Sequence, residues 1–495
     1  MLLSFFAFFI IVLYILALAY ITFFCLMQFN LLLHYFKRKN RLTRVTNIKT
    51  EITNLPTVTI QLPVYNERYV IERLIQNIVL MDYPAHKLQI QVLDDSTDDT
   101  SDIARKMVNE YSEKGIPIEY VHRIDRSGYK AGALRDGLRT ATGEFIAIFD
   151  ADFLPHPDFL RKTLPYFVDE KTGVVQTRWE HINDNYSLLT KLQAFLLNTH
   201  FTIEQSGRQS GNYFLQFNGT AGVWRRKTIE DAGGWEADTL TEDLDLSYRA
   251  QLKGWKINYC QEITAPSELP VDMHGLKSQQ FRWMKGGAEN ARKLIPSVLR
   301  SNLSPGKKLH ATIHLLSSSA YLAILILGLL SVPTMLLMDT VEINLKYFWI
   351  FVIGLPTLAW ISFVANRDTM WLGKSAVYQL TNFIVMFPVF LSLSMGLSLH
   401  NSIAVLQGYG GKKGAFVRTP KYNILQQRDT FKKEHYGSGR ISFSTIMEGV
   451  LAVYFLMAIL FGIMEGKTIF LVYHLMLLFG FASVFTYSIV HLRHP

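Results

Sequence analysis

Cysteine is nearly absent from this chain: Cys25 and Cys260 are the only two in 495 residues, and Cys25 falls inside an apolar run. A disulfide framework is therefore excluded. Charge is missing as well, over long stretches. Between Leu2 and Phe36 there is no Asp, Glu, Lys or Arg, a run longer than the roughly 20 apolar residues that span a bilayer. It lacks the basic start and small-residue cleavage site of a secretory signal, so a retained membrane helix is expected over residues 1–36. No internal repeat and no low-complexity tract interrupts the chain.

What is present is unevenly distributed. Hydrophobic residues make up 49% and aromatic residues 13%, while the charged 18% crowd into one part of the chain. That is the pattern of a membrane protein with a large water-exposed domain. "KRKNRLTR", Lys37 to Arg44, follows the first apolar run directly, and a basic cluster beside a span belongs on the cytoplasmic side. The formal charge of +9 then reflects topology and contact with the lipid bilayer, and no nucleic acid partner is expected.

From about Val58 to Leu299, short β-rich runs alternate with amphipathic stretches, the pattern of an α/β domain on a largely parallel sheet. "TVTIQLP", "LQIQVL", "IEYVHR" and "EFIAIF" read as strands, and "ERYVIERLIQNIVL" and "KAGALRDGLRTA" as helices. In such sheets ligands sit at the carboxyl ends of strands. Two carboxylate clusters, Asp94 with Asp95 and Asp150 with Asp152, fall there.

After Lys308 the chain turns apolar again. Leu309 to Met338 and Tyr347 to Asn366 are uncharged and long enough to span, as are stretches at about Ile441 to Met464 and Thr468 to Leu492. Residues 412–440 hold eight Lys or Arg against Asp429 and Glu434, so they should stay cytoplasmic. A full crossing at 375–411 would strand them outside. The expected layout is two membrane helices in 301–374, an interfacial or re-entrant element at 375–411, a cytosolic loop at 412–440, and two membrane helices in 441–495. Gln379, Asn382, His400 and Asn401 of the interfacial element should face headgroups, water or a glycan path.

The D-x-D of Asp150 and Asp152 suits a hard divalent cation that keeps open positions for phosphate oxygens; it also suits a solvated acidic loop. Asp94 and Asp95 could hydrogen-bond a base and ribose, or serve the start of a helix. In "TEDLDLSYRA", Asp243 could act as general base on a hydroxyl, or simply favour a helix N-terminus. In "QQFRWMKGG", Arg282 could neutralise a departing diphosphate and Trp283 offer a flat face to a sugar ring, or be a surface Arg beside a core Trp. The order of all four motifs on one chain is harder to explain structurally.

That series, D, D-x-D, E-D and Q-x-x-R-W, resembles the processive family-2 glycosyltransferases of the cellulose synthase superfamily. "QLPVYNE", "QVLDDSTD", "GYKAGALRDGL", "FDADFLPHPDFL", "FNGTAGVWR", "TEDLDLSYRAQLKGW" and "SELP" are most similar to the cellulose synthase-like A and C subfamilies, mannan or glucomannan and glucan synthases, and their bacterial relatives.

The resemblance implies a cytosolic GT-A domain, a Rossmann-like nucleotide-diphospho-sugar transferase fold, over residues 45–300, inserted between transmembrane α-helices. It implies Asp94, with Asp95 close behind, at the nucleotide base, Lys130 near the donor nucleotide, and Asp150 and Asp152 at an Mg2+ or Mn2+ ion and the diphosphate. Phe217, Asn218, Gly219 and Thr220 would contact the acceptor and Asp243 would be the base. Gln279, Arg282 and Trp283 would lie at the diphosphate and acceptor. "FVRTPK" resembles a gating loop, F-x-V-T-x-K, through Phe416, Thr419 and Lys421, with Arg418 where the family has Val.

The implied reaction is inverting transfer of hexose from UDP-glucose, GDP-mannose or GDP-glucose to a β-linked glycan, β-1,4 by expectation, with passage of the product across the membrane. The alternative is transfer of one sugar to a membrane lipid, as in ceramide glucosyltransferases. The expected setting is a bacterial cell membrane, or a Golgi membrane in a eukaryote, with the site facing the cytosol. No accessory export or envelope protein is named by these residues.

Overall fold

The structure is a computed structural model, and it describes residues 2–42, 54–338, 353–412, 414, 417–425, 429 and 441–493. Its soluble part is a seven-stranded sheet with helices on both faces. The strands are β1 (Val58–Val64), β2 (Leu88–Asp94), β3 (Ile118–His122), β4 (Phe145–Ile148), β5 (Thr172–His181), β6 (Gly222–Arg225) and β7 (Lys256–Ser267), in the order β3-β2-β1-β4-β6-β5-β7.

β1 pairs in parallel with β2 and β4, and β2 with β3. β6 runs antiparallel to both its neighbours, β4 and β5, a reversal that the first four strands in sequence do not announce. β1 and β4 are apolar and buried almost throughout, because helices cover both faces of a parallel sheet. The polar residues inside are paired: Gln61 Nε2 donates to Gln91 Oε1 at 3.0 Å, as buried amides must.

Parallel neighbours end on the same edge of the sheet. The carboxyl ends of β1, β2 and β4 therefore bring Tyr65 to Glu67, Asp94 with Asp95, and Asp150 together. The helix Ile71–Ile78 that returns from this edge buries Ile71, Leu74, Ile75 and Ile78, the i, i+3, i+4, i+7 stripe of a helix lying on a sheet.

Among the described residues, five helices are long and apolar enough to cross a membrane: Phe5–Lys39, Ser317–Leu337, Ala376–Gly396, Phe443–Met464 and Leu471–Leu492. The apolar run from Leu309 to Met338 is not one span. Pro305–Leu315 is a separate helix, and a 3-10 turn at Ser317–Ser319 leads into Ala320–Leu337. Of the run Tyr347 to Asn366, the described part is helical, Gly354–Arg367; residues 339–352 lie outside the described residues.

The stretch 375–411 is two helices, Ala376–Gly396 and Ser398–Tyr409. By length and composition the first could cross a bilayer. It packs chiefly along the apolar helix Leu471–Arg493, where Gly396 and Gly480 let the two backbones meet, and it also touches the soluble domain. Phe383 and Phe390 lie 6.4 and 5.2 Å from Phe195, and Leu393 packs beside Leu189 and Met273. In the second helix, His400 Nε2 lies 3.0 Å from Lys277 O, and Asn401 Nδ2 lies 3.4 Å from Gln280 Oε1.

One ion pair fastens the soluble domain to the last two membrane helices. Lys277, on the long helix Met273–Arg300, donates to Glu448 at 2.6 Å and to Ser488 at 2.8 Å, all buried. Truncating one partner leaves the other charge unmatched, which costs about 3–5 kcal/mol, whereas a well-packed apolar pair restores most of it. Glu448→Ala should therefore lower the melting temperature of the detergent-solubilised protein, and Lys277→Met with Glu448→Leu should recover it. Thermal unfolding of the three proteins checks this.

Candidate active site

A cavity of about 470 Å³ opens at the carboxyl edge of the sheet, a size suited to a small-molecule ligand. Among the residues expected from sequence, Asp95, Lys130, Asp150, Asp152, Asn218, Gly219, Asp243, Gln279, Arg282, Trp283, Thr419 and Lys421 line it.

Asp94, Phe217 and Thr220 do not line it. Asp94 is fully buried, and its oxygens accept from Ser96 N, Ser101 Oγ and Tyr120 OH at 2.9, 2.6 and 2.6 Å. Of the two aspartates it is Asp95, paired with Arg123, that lines the cavity. Phe217 stacks edge-on against Trp224 in the core. Thr220 Oγ1 accepts from Asp150 N at 2.9 Å and thereby sets the D-x-D backbone. Phe416 lies outside the described residues.

The metal-binding expectation has a donor set that fits. Asp150 and Asp152 present hard carboxylate oxygens to one cavity. Each meets a cation of the chain itself: Lys130 Nζ at 2.5 Å from Asp150 and Lys421 Nζ at 2.6 Å from Asp152. A second group of carboxylates, Glu236, Asp238 and Asp245, lies outside the cavity lining and is bridged by Lys293 Nζ at 2.7, 2.8 and 2.9 Å.

Asp243 lies in the first turn of helix Glu242–Leu252, with Oδ1 accepting from Leu244 N at 2.9 Å. Burial, and then the neighbouring Glu242 carboxylate, push its pKa above the ordinary aspartate range. Burial likewise raises Glu242. A carboxylate held near its proton in this way is suited to general-base work near neutral pH.

Gly219 separates this base from Lys130. Its φ of +79° lies in the left-handed region, and a Cβ there would sit 3.2 Å from Asp243 Oδ2 and 3.5 Å from Lys130 Nζ. Only glycine combines that backbone with that clearance. Its carbonyl accepts from Lys130 at 3.0 Å.

The Q-x-x-R-W residues come from helix Met273–Arg300. A Cβ at Gly286 would run into Thr241, and Asn290 Nδ2 donates to Thr241 O and Oγ1 at 3.0 and 2.8 Å. This close approach fixes Arg282 and Trp283 relative to the helix that carries Asp243. Trp283 lines the cavity and also packs on the core cluster around Trp224 and Trp235.

The segment 417–425 crosses the cavity mouth. Arg282 donates to Val417 O at 2.9 Å and Thr419 Oγ1 at 2.8 Å. Arg418, the departure from the family's Val, donates to Tyr65 O and Asn66 O and pairs with Glu67 at 3.0 Å. Burial raises the Glu67 pKa to about 7 even though Arg418 and Lys421 oppose it. The role of Glu67 escaped the sequence reading, although it ends the quoted stretch "QLPVYNE". So did His200 and Glu204, which line the cavity from a region without a motif.

The sign of the Asp243 shift predicts its effect on stability. The unfolded carboxyl loses its proton near pH 3.9, while the folded one keeps it to higher pH, so stability falls as pH rises from there through the folded pKa. Asp243→Asn removes this penalty. Its melting temperature should exceed that of the wild type at pH 8, and the difference should vanish near pH 4.

Comparison with known proteins agrees with this geometry. Residues 56–286 match the family model "Glycosyltransferase like family 2". The chain is 44% identical over 259 residues to glucomannan 4-beta-mannosyltransferase 7 of Arabidopsis thaliana, covering 51% of this chain and 47% of that protein. It is 42% identical over 261 residues to glucomannan 4-beta-mannosyltransferase 1 of Oryza sativa subsp. japonica, covering 52% and 50%. The chain thus spans about half the length of the curated relatives it matches.

Among solved structures, the mannosyltransferase PcManGT from Pyrobaculum calidifontis, in complex with GDP-Man and Mn2+, superposes with a TM-score of 0.52 at 20% identity, covering 80% of this chain and all of that one. That likeness establishes the GT-A fold. With the family match over 56–286, the soluble part of this chain is similar to family-2 glycosyltransferase domains, and apolar helices flank it.

Proposed function

We propose that the protein is a membrane-embedded inverting hexosyltransferase that extends a β-1,4-linked glycan from a nucleotide sugar and passes the product across the bilayer. The observation that carries the reading is the single cavity in which Asp243, Arg282, Trp283 and the Asp150/Asp152 pair meet. Between UDP-glucose and the GDP sugars, the names of the relatives favour GDP-mannose. The same cavity is lined by Ser317, Ser318 and Tyr321 at the start of a membrane helix, which supports a glycan path from the site into the membrane.

In this mechanism Asp95 faces the nucleoside and Lys130 the donor phosphates. Asp150 and Asp152 would hold Mg2+ or Mn2+, which when bound neutralises diphosphate oxygens. Asp243 takes the proton of the acceptor hydroxyl as its oxygen attacks the anomeric carbon, the carbon–phosphate-oxygen bond breaks, and the nucleoside diphosphate leaves toward Arg282. Asn218 and Trp283 orient the acceptor sugar.

The loop at 417–425 acts as the gate over this site, with Thr419 and Lys421 reaching phosphate oxygens. Charge balance supports this role. Asp95, Glu204 and Glu268 pair with Arg123, Arg208 and Arg73 beside the cavity. Of the other lining acids, Asp150 and Asp152 meet Lys130 and Lys421, and Glu67 meets Arg418. Withdrawing the loop removes two positive charges, the charge of one divalent ion. The contacts of Ser398–Tyr409 with the helix Met273–Arg300 support an interfacial reading of that part, which keeps the loop on the cytosolic side.

The test is to offer membranes containing the protein labelled GDP-mannose, GDP-glucose and UDP-glucose with Mg2+ or Mn2+, then digest any product with linkage-specific hydrolases. A β-1,4-mannan polymer is expected; one sugar on an extracted lipid would establish the lipid-transferase alternative instead. Asp152→Ala should weaken metal-dependent donor binding roughly tenfold or more. Trp283→Ala should reduce polymer synthesis far more than slow donor hydrolysis, and equal loss of both would make Trp283 a purely structural residue.

A further inference from the structure

The helix Leu188–Asn198 does not continue smoothly into Gln205–Ser210. Between them Thr199–Glu204 forms a π-helical turn, a rare distortion that is found mostly at functional sites. It turns His200 and Glu204 toward the cavity.

Backbone oxygens decide how the side chains around this turn are protonated. Gln205 Nε2 donates to Gln216 O at 2.8 Å, so the same amide donates to Asn218 Oδ1 at 2.7 Å. The Asn218 amide nitrogen then faces His200 Nε2 at 2.9 Å as a donor. His200 Nε2 must be the acceptor, which leaves the ring proton on Nδ1, 3.0 Å from Glu204 Oε2. Arg208 closes the chain on the same carboxylate oxygen at 3.3 Å. Burial pushes the Glu204 pKa up, but Arg208 and His200 outweigh it and hold the carboxyl well below its ordinary range.

The chain ends beside the reacting groups. Asn218 precedes Gly219, which touches both Lys130 and the position of Asp243. The Asn218 amide nitrogen has two protons; His200 takes one, which leaves the other for a sugar hydroxyl. We propose that the π-helical turn is part of the acceptor subsite: His200, oriented by Glu204, is a positioning residue that locks the Asn218 amide toward a hydroxyl of the acceptor sugar. This rests on the transferase reading above.

The experiment uses the full-length protein in detergent, with β-1,4-linked tetrasaccharides of mannose and of glucose as acceptors. It measures acceptor KM, donor affinity and slow donor hydrolysis for His200→Ala and His200→Gln. Loss of the lock should raise acceptor KM about tenfold in His200→Ala, of the order of one lost hydrogen bond, with donor affinity and hydrolysis unchanged. His200→Gln keeps a carbonyl acceptor for Asn218 and should return KM to within about threefold of wild type.

An unchanged acceptor KM in His200→Ala would overturn the proposal. So would a parallel loss of donor affinity, or a glutamine variant no better than alanine. If the wild type itself transfers no sugar from any nucleotide sugar, the transferase reading fails, and that result is distinguishable from all three.

Discussion

Buried charge has to be matched, and that constraint governs most of what surrounds this cavity. A carboxylate taken out of water without a partner either costs several kcal/mol or gives up its charge. Both outcomes occur here. Asp94 and Glu204 are held charged by hydrogen bonds and, for Glu204, a guanidinium group, whereas Glu67, Glu242 and Asp243 are pushed toward their protonated forms. The first group builds the walls. The second contains Asp243, the base of the proposed mechanism.

The sheet makes this concentration of acids possible. β1, β2 and β4 are buried on both faces and therefore tolerate few polar residues along their length, so the polar chemistry is displaced to their common carboxyl edge. The reversed strand β6 closes the other side: Ala221 N donates to Ile148 O at 2.9 Å, and Thr220 receives the Asp150 amide. In this way the loop before β6 carries Asn218 and Gly219 to within reach of the D-x-D pair.

Much of this was legible in the sequence, and what was missed has physical reasons. The periodicity of "IERLIQNI" and the apolar runs of β1, β2 and β4 fix the sheet and its ligand-binding edge, because burial on both faces leaves an unmistakable pattern. Choosing between Asp94 and Asp95 needed three dimensions, since adjacent residues at a strand end point in opposite directions and only their partners reveal which one is occupied. "FNGT" reads as one contact loop, yet only its two middle residues line the cavity, while Phe217 and Thr220 hold it in place. His200 and Glu204 had no visible signal: a π-turn leaves no periodic trace, and their role depends on Gln205 and Asn218, which come together only in the fold.

The long helix Met273–Arg300 connects these levels. Near its start Lys277 is pinned to Glu448 and Ser488 of the last membrane helices. One turn later it delivers Gln279, Arg282 and Trp283 to the cavity, and two turns beyond that Gly286 and Asn290 grip Thr241 at the head of the helix bearing Asp243. A continuous helix rises 1.5 Å per residue with a fixed rotation, so the spacing between membrane anchor, diphosphate-facing Arg and base is set by backbone geometry rather than by flexible side chains. A shift of the membrane helices at Glu448 is therefore carried directly to Arg282 and Trp283, and the cavity is held in register with the apolar helices that flank it.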